Sequence, residues 1–191
     1  MSYATGRSRA TGDILSKPPP SLRLIIPSIC LMESLSVLED ERKRHRRRLD
    51  ALEQHLREVG RNVVSSHVPS LKAHLDRAIE EGNALSEEFE ARLFQALEIL
   101  GSGAELIHPS PEILRASRAN VLIEDPTDNM ILACILDHSK NHPSESKVFL
   151  SENRKDFDAN VRARLALRGA GIRYFADAAK CLEWHGTQSE S

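Results

Sequence analysis

The chain has 191 residues, 26 Lys and Arg against 28 Asp and Glu, and a formal net charge of -2. That length suits one domain, or one domain with a large insertion, rather than two full ones. The 40% hydrophobic residues are enough for a core, no apolar run approaches the roughly 18 residues of a membrane span, and the near-zero charge excludes a strongly basic protein while leaving room for a local basic face.

Residues 1–20 read as a disordered tail. Ser, Thr, Gly and Arg dominate them, no apolar segment of the secretory type follows Arg7 and Arg9, and Pro18-Pro19-Pro20 favours an extended conformation. Order is expected from residue 21. Leu22-Arg23-Leu24-Ile25-Ile26 is a short apolar run stopped by Pro27, the pattern of a buried strand. Ser28 then offers an N-cap for a helix carrying Ile29, Leu31, Met32 and Leu35. Residues 40–103 form a helical block. Leu49, Leu52, Leu56 and Val59 make one apolar stripe before Gly60; Leu71, Leu75, Ala78 and Ile79 mark a second helix closed by Glu81-Gly82-Asn83; Leu85, Phe89, Leu93, Leu97 and Leu100 mark a third.

Beyond the block, the pattern changes to alternating elements. Ala104–His108 reads as a strand, Pro111–Ala119 as a helix with proline at its start, and Met130–Leu136 as a helix apolar on more than one side. Lys147–Ser151 reads as a buried strand, Phe157–Leu167 as a helix, Ile172–Phe175 as a strand, and Ala178–Trp184 as a closing helix before a short tail at 186–191. Short glycine loops between alternating helices and strands predict parallel α/β winding. Cys30, Cys134 and Cys181 are an odd set, and the first two sit in apolar runs, so they read as reduced thiols of a cytoplasmic protein.

Acidic residues stand at the ends of these elements. Glu33 lies just after the first strand within an Ile-Cys-Leu-Met stretch, Asp125 and Asp128 open the most apolar helix, and Asp156 follows the strand at 147–151 with Asn153 beside it. In parallel sheets, ligands gather at the carboxyl ends of strands, so neighbouring strands would bring these carboxylates together. Two like charges about 5 Å apart repel by roughly 3 kcal/mol at an effective dielectric near 20. Such a cluster calls for a cation, and oxygen-only donors favour Mg²⁺ or Mn²⁺. The competing readings are structural: Asp125, Asp128 and Asp156 can each cap a helix, and Glu33 can face outward.

These residues carry a resemblance. Ile26–Glu33 looks like the second segment of PIN-domain ribonucleases, Asp125–Ala133 resembles their Asp-bearing helix, and Phe149–Phe157 resembles their strand followed by an acidic turn. The likeness covers residues 22–40 and 104–184, and the helical block is similar to the long insertion of a larger PIN-like subgroup. It implies a three-layer α/β fold over residues 21–185, with a mainly parallel sheet and an insertion at about 40–103. It also implies a metal-dependent endoribonuclease that hydrolyses RNA phosphodiesters with Mg²⁺ or Mn²⁺. By position, Glu33, Asp128 and Asp156 become catalytic metal-site acids, with Asn153 and Asp125 assisting. RNA is the implied partner, with an antitoxin-like protein and a homodimer as further ones. The likeness departs at the start: the family opens on an apolar strand ending in Asp, and nothing before Leu22 matches it. Either that start is truncated or diverged, or the protein is a non-catalytic module that binds RNA or a protein.

Arg42-Lys43-Arg44-His45-Arg46-Arg47-Arg48 holds six permanent cations in seven residues. It is read either as a solvated helix neutralised by Asp40, Glu41 and Asp50 or as a phosphate-contacting face for RNA. His138 and His142 have zinc spacing, but Pro143 follows and the motif of a zinc hydrolase is absent. A third reading makes the chain a mainly helical DNA-binding or interaction protein; the apolar strands at 147–151 and 172–175 argue for a sheet instead.

Overall fold

The structure, a computed structural model, describes residues 4–6, 8–62 and 64–189. The first described helix, α1 (Arg9–Ser16), lies where a tail was expected. Ser8 caps it by accepting from the Thr11 amide, and Ile14 is buried. Two adjacent large apolar residues, Ile14 and Leu15, in a polar segment give little periodicity to read, yet α1 packs on the last helix and on the third. Residues 1–3, 7, 190 and 191 of the expected tails lie outside the described residues.

Strand β1 (Ile25–Pro27) leads directly into α2 (Ser28–Val59), a continuous helix of 32 residues. Its end is set by Gly60, whose amide reaches back to the Leu56 carbonyl, and by Asn62, whose Oδ1 accepts from the amides of Val64 and Ser65. Helix α3 (Val68–Gly103) then returns for 36 residues. The block is therefore a two-helix hairpin, not three separate helices. Gly82 was expected to end a helix, and an interior glycine does cost about 1 kcal/mol against alanine. Here it faces α2, where a Cβ would stand 3.7 Å from His45 and 3.8 Å from Leu49, so packing against α2 carries the helix through it. Leu38 and Leu93, with Ala4, form the buried centre of this hairpin.

Strand β2 (Glu105–Ile107) pairs in parallel with β1, matching Ile25 with Glu105 and Pro27 with Ile107. Helix α4 (Pro111–Ala119) covers α5 (Pro126–Asn141). Strand β3 (Lys147–Leu150) runs into the short α6 (Arg154–Phe157) and then α7 (Val161–Gly169). Strand β4 (Ile172–Phe175) pairs in parallel with β3, and α8 (Ala178–Ser189) packs on both. The strands are parallel as expected, but they form two two-stranded sheets, β1–β2 and β3–β4, rather than a single one. Apolar runs identify strands; they do not say which strands come within the ~4.8 Å that a ladder needs. The main core joins both halves: Ile123, Leu132, Phe157 and Leu167 are its largest fully buried members, and Ile29, Cys30, Phe149 and Tyr174 pack around them. With so few aromatics, the edge-on contact of Phe149 with Phe157, centroids 4.8 Å apart, supplies its only aromatic pair at right angles among the described residues.

Candidate functional site

The site forms where α5 and the β3–α6 turn meet. Asp125 caps α5: its Oδ1 accepts from the amides of Thr127 (2.9 Å) and Asp128 (3.0 Å). Pro126 at the first helical position has no amide to satisfy, which makes this start compact. Asp128, one turn inside, is half-buried. Its Oδ2 accepts from Asn153 Nδ2 at 2.9 Å. The other end of the same amide, Asn153 Oδ1, accepts from the Asp156 backbone at 3.3 Å and caps α6. One asparagine thus ties the first turns of two helices together, 25 residues apart in sequence. The turn beneath is itself fastened: Ser151 Oγ accepts from the Asn153 amide, and the Tyr174 hydroxyl donates to the Ser151 carbonyl at 2.6 Å.

Electrostatics show which acids share the neighbourhood. The Asp128 carboxyl is pushed up to about 6, first by burial, then by Asp156, Asp125 and Glu33, with the Asn153 hydrogen bond opposing. A helix N-terminus favours a negative charge; burial and three like charges outweigh it here. Glu33 stands on the second turn of α2 and is exposed. Cys30, one turn before it, has its thiol pushed up to about 12 by burial, with Glu33, Cys134 and Asp128 adding to the effect. Glu33, Asp125 and Asp156 thus each act on Asp128, and the four acids stand after the carboxyl ends of β1 and β3 or at the start of α5 beside them. Asp125 is committed through one oxygen to its cap, and both polar atoms of Asn153 are engaged by the protein. Among the described residues no set of three or more His, Cys, Asp or Glu is close enough to hold one ion. Mg²⁺ usually keeps several waters and takes only one or two carboxylates, and the oxygen donors of Asp128 and Asp156 suit that hard chemistry.

Sequence reasoning missed Asn129. It is 5% exposed; its Oδ1 accepts from the amides of Leu122 and Ile123, and its Nδ2 donates to the Ser117 carbonyl. This side chain holds the loop ahead of α5 and so sets the approach to Asp125. The available signal was an amide on the apolar side of the helix, three residues before Leu132.

The basic run lies on α2, about two and a half to four turns beyond Glu33. Arg42 pairs with Glu90 of α3, Lys43 lies 3.7 Å from Glu39 and 3.6 Å from Asp40, and Arg44 binds Glu41 at 2.7 Å. Arg46, Arg47 and Arg48 are exposed and make no ion pair among the described residues. A shallow hollow lined by Glu39, Arg42, Lys43, Arg46, Arg47 and Asp50 runs along this face. His138 and His142 stack with centroids 4.1 Å apart, at the far end of α5 from the acids.

A PIN domain family model matches residues 14–157. The chain belongs to the PIN-domain family. The match spans Glu33, the basic run, Asp125, Asp128, Asn153 and Asp156, and includes the helical hairpin. No curated protein and no solved structure matches. PIN domains have a nuclease-type fold, generally use divalent metal ions and commonly bind RNA. No helix of this PIN domain is long and apolar enough to cross a membrane among the described residues.

Proposed function

We propose that this PIN domain is a metal-dependent endoribonuclease that hydrolyses RNA phosphodiesters. The observation that carries the reading is the Asp128 carboxyl, fixed by Asn153 and pushed up to about 6 among Asp156, Asp125 and Glu33. Such a self-repelling set gains from a hard cation, and Asp128 and Asp156 are the residues that would hold Mg²⁺ or Mn²⁺. Bound there, the ion would supply Lewis acidity and lower the pKa of an attacking water. Asn153 acts as a positioning residue, fixing the carboxylate of Asp128 against the first turn of α6. Asp125 holds the start of α5 and adds negative potential. Glu33 provides the acid on the α2 side, and Arg46, Arg47 and Arg48 take phosphates of the same strand. The three free thiols, Cys134 and Cys181 buried and Cys30 half-buried, suit a reducing compartment, and we place the protein in the cytoplasm.

The test is cleavage of end-labelled RNA in Mn²⁺ and in Mg²⁺. Asp128→Asn and Asp156→Asn are expected to abolish cutting while the fold persists, and Asn153→Ala to lower it about 10- to 100-fold, as loss of a carboxylate-orienting group does. With the metal ion below its dissociation constant, activity should rise through pH 6, as Asp128 ionises and can take the ion. A second reading follows from the lack of a three-ligand set among the described residues: a non-catalytic module that binds RNA or a protein. It takes the place of the first if the wild type binds RNA and cuts none at any metal concentration.

A further inference from the structure

We propose that single-stranded RNA leaves the acidic site along a track of four cations, Lys180, Arg154, Arg164 and Arg168, with one nucleotide seated in the hollow that Lys180 and Arg154 share. The proposal deepens the nuclease reading, on which it rests for the identity of the polymer, and its residues lie on other elements than the basic run of α2. Charge points to it first. The chain has a net charge of -2, yet from Arg154 to Lys180 seven Lys and Arg stand against three Asp. None of the seven is in an ion pair among the described residues. Of the three acids, Asp156 belongs to the acidic site, and Asp177 caps α8, its Oδ1 accepting from the amides of Ala179 (2.8 Å) and Lys180 (3.2 Å). Asp158 remains to offset the cations. Surface cations held near one another without acids gain most from a polyanion, which also releases its own counterions.

Geometry then joins these cations to the site. A hollow of about 290 Å³ lies at the carboxyl end of β4, and its lining includes Arg154 of α6, Lys180 of α8, and Asp158, Tyr174 and Phe175 between them. Burial and Asp158 raise the Tyr174 hydroxyl while Arg154 opposes them, so these three groups face one another. The same turn serves hollow and acids. Tyr174 donates its hydroxyl to the Ser151 carbonyl at 2.6 Å, Arg154 directly follows Asn153, and Asn153 Nδ2 holds Asp128 at 2.9 Å. On the outer side, Arg164 Nη1 reaches the Asp158 carbonyl at 3.5 Å, and Arg168 stands one turn further along α7. All four cations are exposed.

These features describe the occupant. The hollow is just below the roughly 300–1,000 Å³ of small-ligand sites, room for one nucleotide and not for a duplex. Arg154 and Lys180 suit its phosphate, and the rings of Tyr174 and Phe175 offer apolar edges to a sugar or base. Asp158 decides between polyanions. It would repel an acidic side chain, which brings no donor, whereas a ribose brings a 2′-hydroxyl that can donate to the carboxylate, the group that separates RNA from DNA.

The test reads binding without metal, so a protein that binds in this way and never cuts keeps the track and loses the nuclease reading. The probe is a fluorescein-labelled single-stranded RNA of about twelve nucleotides, titrated into the full chain in EDTA and followed by anisotropy between about 50 and 200 mM salt. Arg154→Gln with Lys180→Gln, and separately Arg164→Gln with Arg168→Gln, should each weaken binding about fivefold or more and reduce the salt slope by about 1.4, at ~0.7 per phosphate contact on a single strand. Arg164→Lys with Arg168→Lys should keep most of the affinity. Arg57→Gln with Arg77→Gln removes the same charge from ion-paired positions of the hairpin and should change little. DNA of the same sequence should bind about fivefold less tightly, a difference that Asp158→Ala removes. The proposal is overturned by absent RNA binding, by equal losses in the hairpin control, by DNA or a duplex binding as tightly as the single strand, or by a glutamate-rich peptide of equal charge competing as well as unlabelled RNA.

Discussion

Removing the charge of Asp128 should make the metal-free protein more stable at neutral pH, not less. Burial and the neighbouring acids push the native carboxyl up to about 6 from its ordinary value of 3.8. Between those values the native state holds a proton that the unfolded state has released, so stability falls as pH rises through that window. The shift of about two units corresponds to ~3 kcal/mol if unscreened. Asp128 is half-exposed, and solvent screening of such a group cuts that to about 1 kcal/mol. Asp128→Asn removes this penalty while its Oδ1 can still accept from Asn153. Without metal, the variant should melt about 2–4 °C above wild type at pH 7.5, and the difference should vanish at about pH 3, below the unfolded value, where the residue is neutral in both states. Added Mn²⁺ should raise only the wild type, by about 1.4 kcal/mol at ten times its dissociation constant. The assay is thermal unfolding followed by circular dichroism at both pH values. A variant that melts several degrees below wild type at pH 7.5 would refute the reasoning and make Asp128 a structural acceptor.

Three further outcomes follow from other parts of the molecule. Replacing Arg46, Arg47 and Arg48 together with Gln should weaken binding to RNA of any sequence and reduce the salt slope by about 2; the same change at Arg42, Lys43 and Arg44, whose charges are already met by acids, should do less, and equal losses in filter binding would contradict that division. Asn129→Leu leaves the amides of Leu122 and Ile123 without an acceptor, which should cost about 3 kcal/mol in urea unfolding at roughly 1–3 kcal/mol per orphaned group; a loss below about 1 kcal/mol would count against it. The thiols of Cys30 and Cys134, pushed up to about 12 and about 11, should resist iodoacetamide at pH 8 until the chain is denatured, and mass spectrometry showing rapid native labelling of either would contradict their burial.

The parts of the fold written into local chemistry were legible. Pro111, with Ser110 before it, starts α4 where the proline pattern put it, and the apolar runs at 147–150 and 172–175 are strands. What was hidden depends on distant partners. The stop expected at Gly82 fails because α2 passes beside it, and the pairing of β1 with β2 rather than β3 is set by packing across the chain. The acids at Glu33, Asp128 and Asp156 were visible as residues at element ends. The bond from Asn153 to Asp128 was not, since 25 residues separate them and no periodicity encodes a hydrogen bond.

The unbroken run of α2 also acts as a ruler. Glu33 and Arg46 stand on the same rigid rod, thirteen residues and about 20 Å apart at 1.5 Å per residue. No hinge lies between them to shorten that distance. On the proposed nuclease reading, a nucleic acid that touches both must reach along the rod, so a dinucleotide would engage one end only and a longer oligomer both. On that reading the helix would set a minimum substrate length through backbone geometry alone, independent of any base being read.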